Sequence, residues 1–444
     1  MKDRYWIRSG FFTLMQNMSN VFFGFGSFYL LVRILDKTSF GTWALFMTTV
    51  TVMETIRNGL VQNALIKYLS FTPREDHPKI ISASFANSGL LTLLCIGLNL
   101  GFSAYLGRSC HAPQLVGMFY LYSIVYLLSG VLTQFQFIEQ ANLAFRGIFF
   151  STFIRQGLFF FFILFCWLFH WQLPLVYLVY VQIITVTLAA LLSYGFVRKE
   201  LGFSSRPELA WMKKLFAYGK YAFGTSVSSM IFGSIDQMML GSFLSAAAAG
   251  GYNVAMRITN FVEIPTGSVA AIVFPQSAKR IETEGRDAVR YLYEKSVGTI
   301  LAILLPGLLF LFLFSDFTVH VIAGEKYADT VPILKVTILY CLLIPYGRQF
   351  GTMLDSMGKP SLTFRVVLVC ALINVGLNYL LIHRYGVIGA AYATLGANII
   401  GFLIGQVILR RELGVNLGHT FLYAARFYPE MAGRLMHALR RPKP

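Results

Sequence analysis

Residues 52–63 read VMETIRNGLVQN, and the acid and the base in that stretch decide how the whole chain is read. Helical spacing puts Glu54 and Arg57 on one face, one turn apart. On a soluble helix they would be an ordinary solvated pair. The surroundings are not those of a soluble helix, because the stretch lies inside a long apolar run from about 40 to 68. Of the 444 residues, 56% are hydrophobic and only 13% charged, where soluble domains are about one-quarter charged. The apolar runs have the length of membrane-spanning helices, and the alternating segments of a membrane barrel are missing. Glu54 and Arg57 therefore belong at lipid depth, where exposure costs about 2.5–3.5 kcal/mol each on insertion scales. Both are expected to face a protein interior or a watery cavity.

Working outward, the hydropathy predicts an all-α integral membrane protein with twelve spans: 10–35, 40–68, 79–106, 114–138, 142–168, 174–197, 217–244, 248–276, 296–315, 331–356, 361–383 and 387–409. Lys and Arg crowd the N-terminal tail, the loops after even-numbered spans and the C-terminal tail. The opposite side holds Lys37, Arg108, Lys326, Lys335 and Arg384. This bias predicts both termini in the cytoplasm and accounts for the +17 net charge without invoking nucleic acid. The basic opening "MKDRYWIRSGFF" runs into too long an apolar stretch for a cleaved signal and reads as the first span, retained.

The basic stretch 198–216 divides two six-span lobes, 1–197 and 217–410, with a basic cytoplasmic tail at 411–444. Trp211 and Phe216 beside Lys213 and Lys214 predict an amphipathic segment on the inner membrane surface, and the tail has the same character. The halves repeat faintly: displaced by 209 positions, Gly24 meets Gly233, Gly41 meets Gly250 and Glu54 meets Glu263. Two lobes entering from the same side would be related by a pseudo-twofold axis along the membrane normal, with a cleft between them.

Motifs for catalysis are missing: no nucleophile elbow, phosphate loop or HExxH occurs. The seven histidines never stand at i, i+3 or i+4, which gives no support for a helical metal pair. The five scattered cysteines read as small core residues. No enzyme, metal or cofactor is expected. The functional residues should be the intramembrane charges. Arg33, Arg57, Arg155, Arg257 and Arg348 stand against Glu54, Asp236 and Glu263. This balance is net basic, and a guanidinium matches phosphate oxygens, so the implied substrate is an anion. Arg257 and Glu263 lie too far round the helix to pair on one turn. Pro265 predicts a bend beside them. Polar and small residues of the first and seventh spans (among them Asn20, Gly24, Ser27, Thr225, Ser228, Gly233) either pack helices or line the cleft.

Three passages then carry a resemblance: "LLVRILDKTSFGTWAL" (30–45), "SIDQMMLGSFLSAAAAGGYNVAMRI" (234–258) and "LDSMGKPSLTF" (354–364). Over roughly 8–410 the chain resembles the polysaccharide flippases of the MOP superfamily, relatives of the multidrug-and-toxin-extrusion transporters. The resemblance implies two six-helix lobes around a cleft that opens to each side in turn. It also implies export of undecaprenyl-pyrophosphate-linked oligosaccharide across a bacterial inner membrane, for lipopolysaccharide or capsule. Arg57, Arg257 and Arg33 would receive the pyrophosphate. Glu54, Glu263 and Asp236 would balance charge or carry a coupling proton or sodium ion. Membrane lipids, a glycan polymerase and assembly proteins are the expected partners. A cation or drug antiporter of the same fold is the alternative, and it would want an acidic cleft. Some relatives have fourteen spans, and this tail does not supply two more.

Overall fold

The computed structural model describes residues 2–439 other than His111, Leu143, Ser205 and Arg206. The side chains of 2–11, 13–14, 218–222, 225, 275, 278, 282 and 432–439 lie outside that description. Roles expected of Thr225 and of the tail from 432 onward therefore fall outside the described residues. Everything described is helix or connection. The helices are α1 (Lys2–Ile34), α2 (Lys37–Phe71), α3 (His77–Ser109), α4 (Gln114–Ala141), α5 (Phe145–Leu168), α6 (Leu175–Val197), α7 (Leu209–Phe243) and α8 (Ala246–Thr259). They continue as α9 (Glu263–Thr283), α10 (Arg286–Leu313), α11 (Ser315–Ala323), α12 (Val331–Cys341), α13 (Ile344–Ser356), α14 (Pro360–Tyr385), α15 (Val387–Leu413) and α16 (Leu417–Leu439).

Among the described residues, eight helical stretches are long and apolar enough to cross a membrane: Arg74–Ser109, α4, α5, α6, α10, Glu325–Ser356, α14 and α15. This makes the chain a multi-pass membrane protein. The remaining predicted spans are helical but more polar: α1, α2, α7 and the pair α8–α9. These carry most of the intramembrane charges, with Glu54 and Arg57 on α2, Asp236 on α7, and Arg257 and Glu263 on α8 and α9, while Arg155 and Arg348 lie on α5 and α13.

By internal contacts the chain divides into two compact units, Met1–Met230 with Leu240–Gly250, and Ile231–Met239 with Gly251–Pro444. The division passes through α7 rather than the 198–216 stretch. In the first unit α1 packs on α5, and α4 packs against α2, α3 and α6. Asp36 caps α2: its carboxylate accepts from the Thr38 and Ser39 amides at 2.9 and 3.0 Å. The Ser39 hydroxyl, with those amides, holds this carboxyl below the usual carboxylate range. Gly41 follows at the start of α2, where a Cβ would lie 1.8 Å from the Ala246 carbonyl oxygen, so only glycine admits this backbone approach. The amphipathic segment expected at the membrane surface is instead the opening of α7. Its Leu215 is fully buried, and Trp211 and Leu215 pack with Ala64, Tyr68 and Ala83. Protein covers that apolar side, while Lys213, Lys214 and Phe216 stay exposed.

In the second unit two predicted spans break. The 248–276 span is interrupted by a 3-10 turn at Asn260–Val262, immediately before Pro265. The proline lacks the N–H that would bond the Phe261 carbonyl, so the helix restarts there. Likewise α12 and α13 part at Leu342–Leu343, just before Pro345. The tail differs most from expectation. Glu294 on α10 accepts from the Asn416 amide at 2.8 Å and lies 2.9 Å from His419 Nδ1. A Cβ on Gly298 would come within 2.6 Å of the Thr420 carbonyl, and the Tyr428 hydroxyl donates to the Ala302 carbonyl at 2.7 Å. These contacts advance together along both helices. α16 therefore runs alongside α10, in the same direction. Gly298 is the reason, because a bare backbone lets α16 approach where lipid gives no hydrophobic drive for helix pairing.

Candidate functional site

The charges divide between the units, and each unit builds one polar centre. In the first, Arg57 is 1% exposed on the face of α2 that meets α4. Its Nη1 donates to the Tyr126 carbonyl at 2.8 Å and to the Ser129 hydroxyl at 3.1 Å, and its Nε donates to Asn58 Oδ1 at 3.2 Å. Gly130 makes the room: a Cβ there would sit 3.5 Å from Nη1 and 3.1 Å from Thr92 Oγ1. Glu54 is half-buried and takes two α4 hydroxyls on Oε1, Ser129 at 3.2 Å and Tyr122 at 3.3 Å. Among the described residues no direct ion pair joins Glu54 to Arg57. The sequence suggested mutual neutralisation one turn apart; instead the Ser129 hydroxyl stands between the two charges, accepting from one and donating to the other. Arg57 Nη2 has no hydrogen-bond partner within the described structure. A buried donor left unmade costs about 1–3 kcal/mol, more when charged, so this edge is primed for an acceptor. Arg155 on α5 is half-buried.

The second centre surrounds Asp236 on α7, which is 2% exposed. One carboxylate oxygen accepts from Asn378 at 2.6 Å and Asn374 at 3.2 Å, both on α14. The other accepts from the Tyr252 hydroxyl of α8 at 2.6 Å and from the Thr394 hydroxyl of α15. The carboxylate is thus held by neutral donors and, among the described residues, by no cation. Asn378 Oδ1 is buried without a donor there.

The other predicted residues stand apart from these centres. Arg33 ends α1, exposed, with its guanidinium 4.9 Å from the Tyr29 ring centre. It adjoins the start of α2. Arg57 lies twenty residues into that helix, about 30 Å along it at 1.5 Å per residue. Arg33 and Arg57 therefore occupy different levels. Arg257 and Glu263 are exposed on either side of the 3-10 turn, and among the described residues no ion pair joins them.

Sequence reasoning passed over Tyr122, Tyr126, Ser129, Tyr252, Asn374, Asn378 and Thr394. Only Asn374 and Asn378 carried a visible signal, two amides four apart in an otherwise apolar span. It also omitted Glu139 and Glu294 from the buried acids because both lie near span ends. Glu139 is 3% exposed, 3.4 Å from the Ser193 hydroxyl, with its Oε1 against Gly147. Among the described residues no cluster of His, Cys, Asp and Glu could hold a metal ion, and the five cysteines are buried thiols.

This architecture defines a class, the multi-pass helical membrane proteins with the MOP-superfamily fold. The structure superposes on an inward-facing MATE-family multidrug resistance transporter of that superfamily with a TM-score of 0.75, at 16% identity, over 88% of this chain and 95% of that one. It superposes on the lipid II flippase MurJ in an inward closed conformation with a TM-score of 0.76, at 14% identity, over 98% and 94%. The family described as "Polysaccharide biosynthesis protein" matches residues 30–332. The chain belongs to that family. Curated relatives include an uncharacterised membrane protein of Methanocaldococcus jannaschii, 27% identical over 69% of this chain and 60% of that one. The lipopolysaccharide biosynthesis protein WzxC of Escherichia coli is 22% identical over 85% and 74%. The probable low-salt glycan biosynthesis flippase Agl15 of Haloferax volcanii is 23% identical over 49% and 46%. The chain thus spans about half to three-fifths of the length of the two archaeal relatives.

Proposed function

We propose that this chain is a flippase that moves undecaprenyl-pyrophosphate-linked oligosaccharide units across a bacterial inner membrane by alternating access, driven by a proton or sodium ion. Family membership and relatives named for glycan flipping and lipopolysaccharide synthesis support the reading. One observation carries it: a permanently charged guanidinium at membrane depth, Arg57, keeps an unmade Nη2 edge while its nearest acid is held off. That edge is closed in the conformation described, so it meets the pyrophosphate when the α2–α4 seam opens during the cycle. Arg257, exposed on α8, is the second contact, and Arg33 is an outer one.

Asp236 is the coupling residue. Its carboxylate, the buried oxygen of Asn378 and the Thr394 hydroxyl supply oxygen ligands for a monovalent cation, or Asp236 takes a proton directly. Glu54 and Glu263 balance charge. Both termini face the cytoplasm, and a glycan polymerase and assembly proteins receive the product.

Arg57→Ala and Arg257→Ala, each checked for its level in the membrane, should abolish glycan export in a strain lacking its own flippase. Full export by both single variants would overturn the assignment. The uncharged surroundings of Asp236 favour one second reading, a cation antiporter. Ion-coupled efflux of a cationic dye from proteoliposomes, with no glycan movement, would select it.

A further inference from the structure

Arg57 and Glu54 are one turn apart on α2, close enough to pair, yet they do not. What separates them comes from a different helix. The Ser129 hydroxyl of α4 accepts from Arg57 Nη1 at 3.1 Å and donates to Glu54 Oε1 at 3.2 Å, and Tyr122, two turns earlier on the same α4 face, holds the same carboxylate oxygen at 3.3 Å. The Tyr126 carbonyl anchors the other side of Nη1 at 2.8 Å. Three successive turns of α4 thus place a hydroxyl, a carbonyl and a hydroxyl against α2, and the remaining nitrogen, Nη2, is buried with no partner.

From this geometry we infer that Ser129 is a positioning residue, a spacer that prevents Glu54 from neutralising Arg57 and so reserves Nη2 for a phosphoryl anion. The inference rests on the flippase reading above and adds to it the residue that keeps the anion site from closing on itself. Without the hydroxyl, Glu54 has lost one of its two donors and Arg57 one of its two α4 acceptors. The cheapest repair is the direct i,i+3 ion pair, which occupies the guanidinium. With the hydroxyl in place both charges are satisfied enough to stay put, and neither is cancelled. Gly130 adjoins the same group, where a Cβ would crowd Thr92 Oγ1 at 3.1 Å and only touch Nη1 at 3.5 Å.

The test uses the purified full chain in phosphatidylcholine nanodiscs, titrated with inorganic pyrophosphate. Wild type should bind, and Arg57→Gln should bind at least about tenfold more weakly. Absence of wild-type binding, or no effect of Arg57→Gln, overturns the anion reading itself. Given that reading, Ser129→Ala should also lose about tenfold or more, and Ser129→Ala combined with Glu54→Gln should recover wild-type affinity, because no carboxylate remains to close on Arg57. A Ser129→Ala variant that binds like wild type overturns the spacer while leaving the Arg57 site standing. A double variant that stays weak also overturns it, since a packing defect at position 129 would not be cured by removing a charge at position 54. The titration is repeated in nanodiscs containing phosphatidylglycerol. Unchanged affinity supports a pyrophosphate occupant; strong competition assigns Nη2 to a lipid phosphodiester and overturns that part.

Discussion

Asp236 offers the sharpest separation of folding from function, because two substitutions of nearly equal size should part company. Its carboxylate accepts from four neutral donors, the Tyr252 and Thr394 hydroxyls on one oxygen and the Asn374 and Asn378 amides on the other. Asp236→Asn keeps one oxygen for the two amide donors, which also reach the Phe232 carbonyl (Asn374, 3.0 Å) and Asn374 Oδ1 (Asn378, 2.6 Å). Its new NH2 faces the hydroxyls, which can rotate and accept. Charge-assisted bonds of about 1.5–3 kcal/mol become neutral ones of about 0.5–1.5 kcal/mol, and the desolvation cost of a buried charge disappears as well. The two changes oppose each other, so thermal stability should move by no more than about 1–2 kcal/mol. Asp236→Leu instead leaves the Tyr252 and Thr394 hydroxyls facing a methyl group, at about 1–3 kcal/mol for each one left unmade, while the two amides keep their other acceptors. That loss is a large share of the marginal stability of a domain. Fluorescence-detected size-exclusion thermal profiles should therefore show Asp236→Asn near wild type and Asp236→Leu aggregated or absent. Glycan export by the folded Asp236→Asn protein should fall to background and lose its dependence on an ion gradient. An Asp236→Leu protein that melts like wild type would refute the hydrogen-bond reasoning, and an Asp236→Asn protein with gradient-driven export would refute the coupling role.

Three further predictions follow from local geometry. Gly298→Leu should displace α16, since even a Cβ would meet the Thr420 carbonyl at 2.6 Å; overpacking of this kind costs about 1–3 kcal/mol, and trypsin should then cut at Arg426 faster than in wild type. Gly41→Ala should destabilise by a similar amount, about 1–3 kcal/mol, because the obstruction at 1.8 Å is the Ala246 backbone, and its melting temperature in detergent should drop. Asp36→Ala should cost about 0.5–2 kcal/mol through loss of the α2 cap. The Asp36 carboxyl titrates below its unfolded value, so its stabilisation is complete above the ordinary carboxylate range and is lost as pH falls through the lowered value. The melting difference between wild type and Asp36→Ala should therefore be full at neutral pH and shrink in strong acid.

Sequence alone was sufficient for the membrane class, the helical architecture and the burial of some charges at membrane depth, because each follows from one-dimensional rules. An apolar run of spanning length must be helical in lipid, a proline can break the run it sits in, and an acid or base at lipid depth must find company. Hence the break before Pro265 and the burial of Arg57 and Asp236 could be anticipated, whereas the break before Pro345 was not and Pro306 stays inside α10. What each charge keeps company with could not. The partners of Asp236 come from α8, α14 and α15, more than a hundred residues away for three of them. Ser129 is one unremarkable serine in an apolar span until α4 lies against α2. Likewise, nothing in the tail's composition distinguishes a surface helix from one docked on α10; Gly298 decides that only once both backbones are in place. Hydropathy is a property of a residue and its neighbours in the chain. A hydrogen bond is a property of two atoms brought within about 3 Å, and only tertiary packing chooses which two.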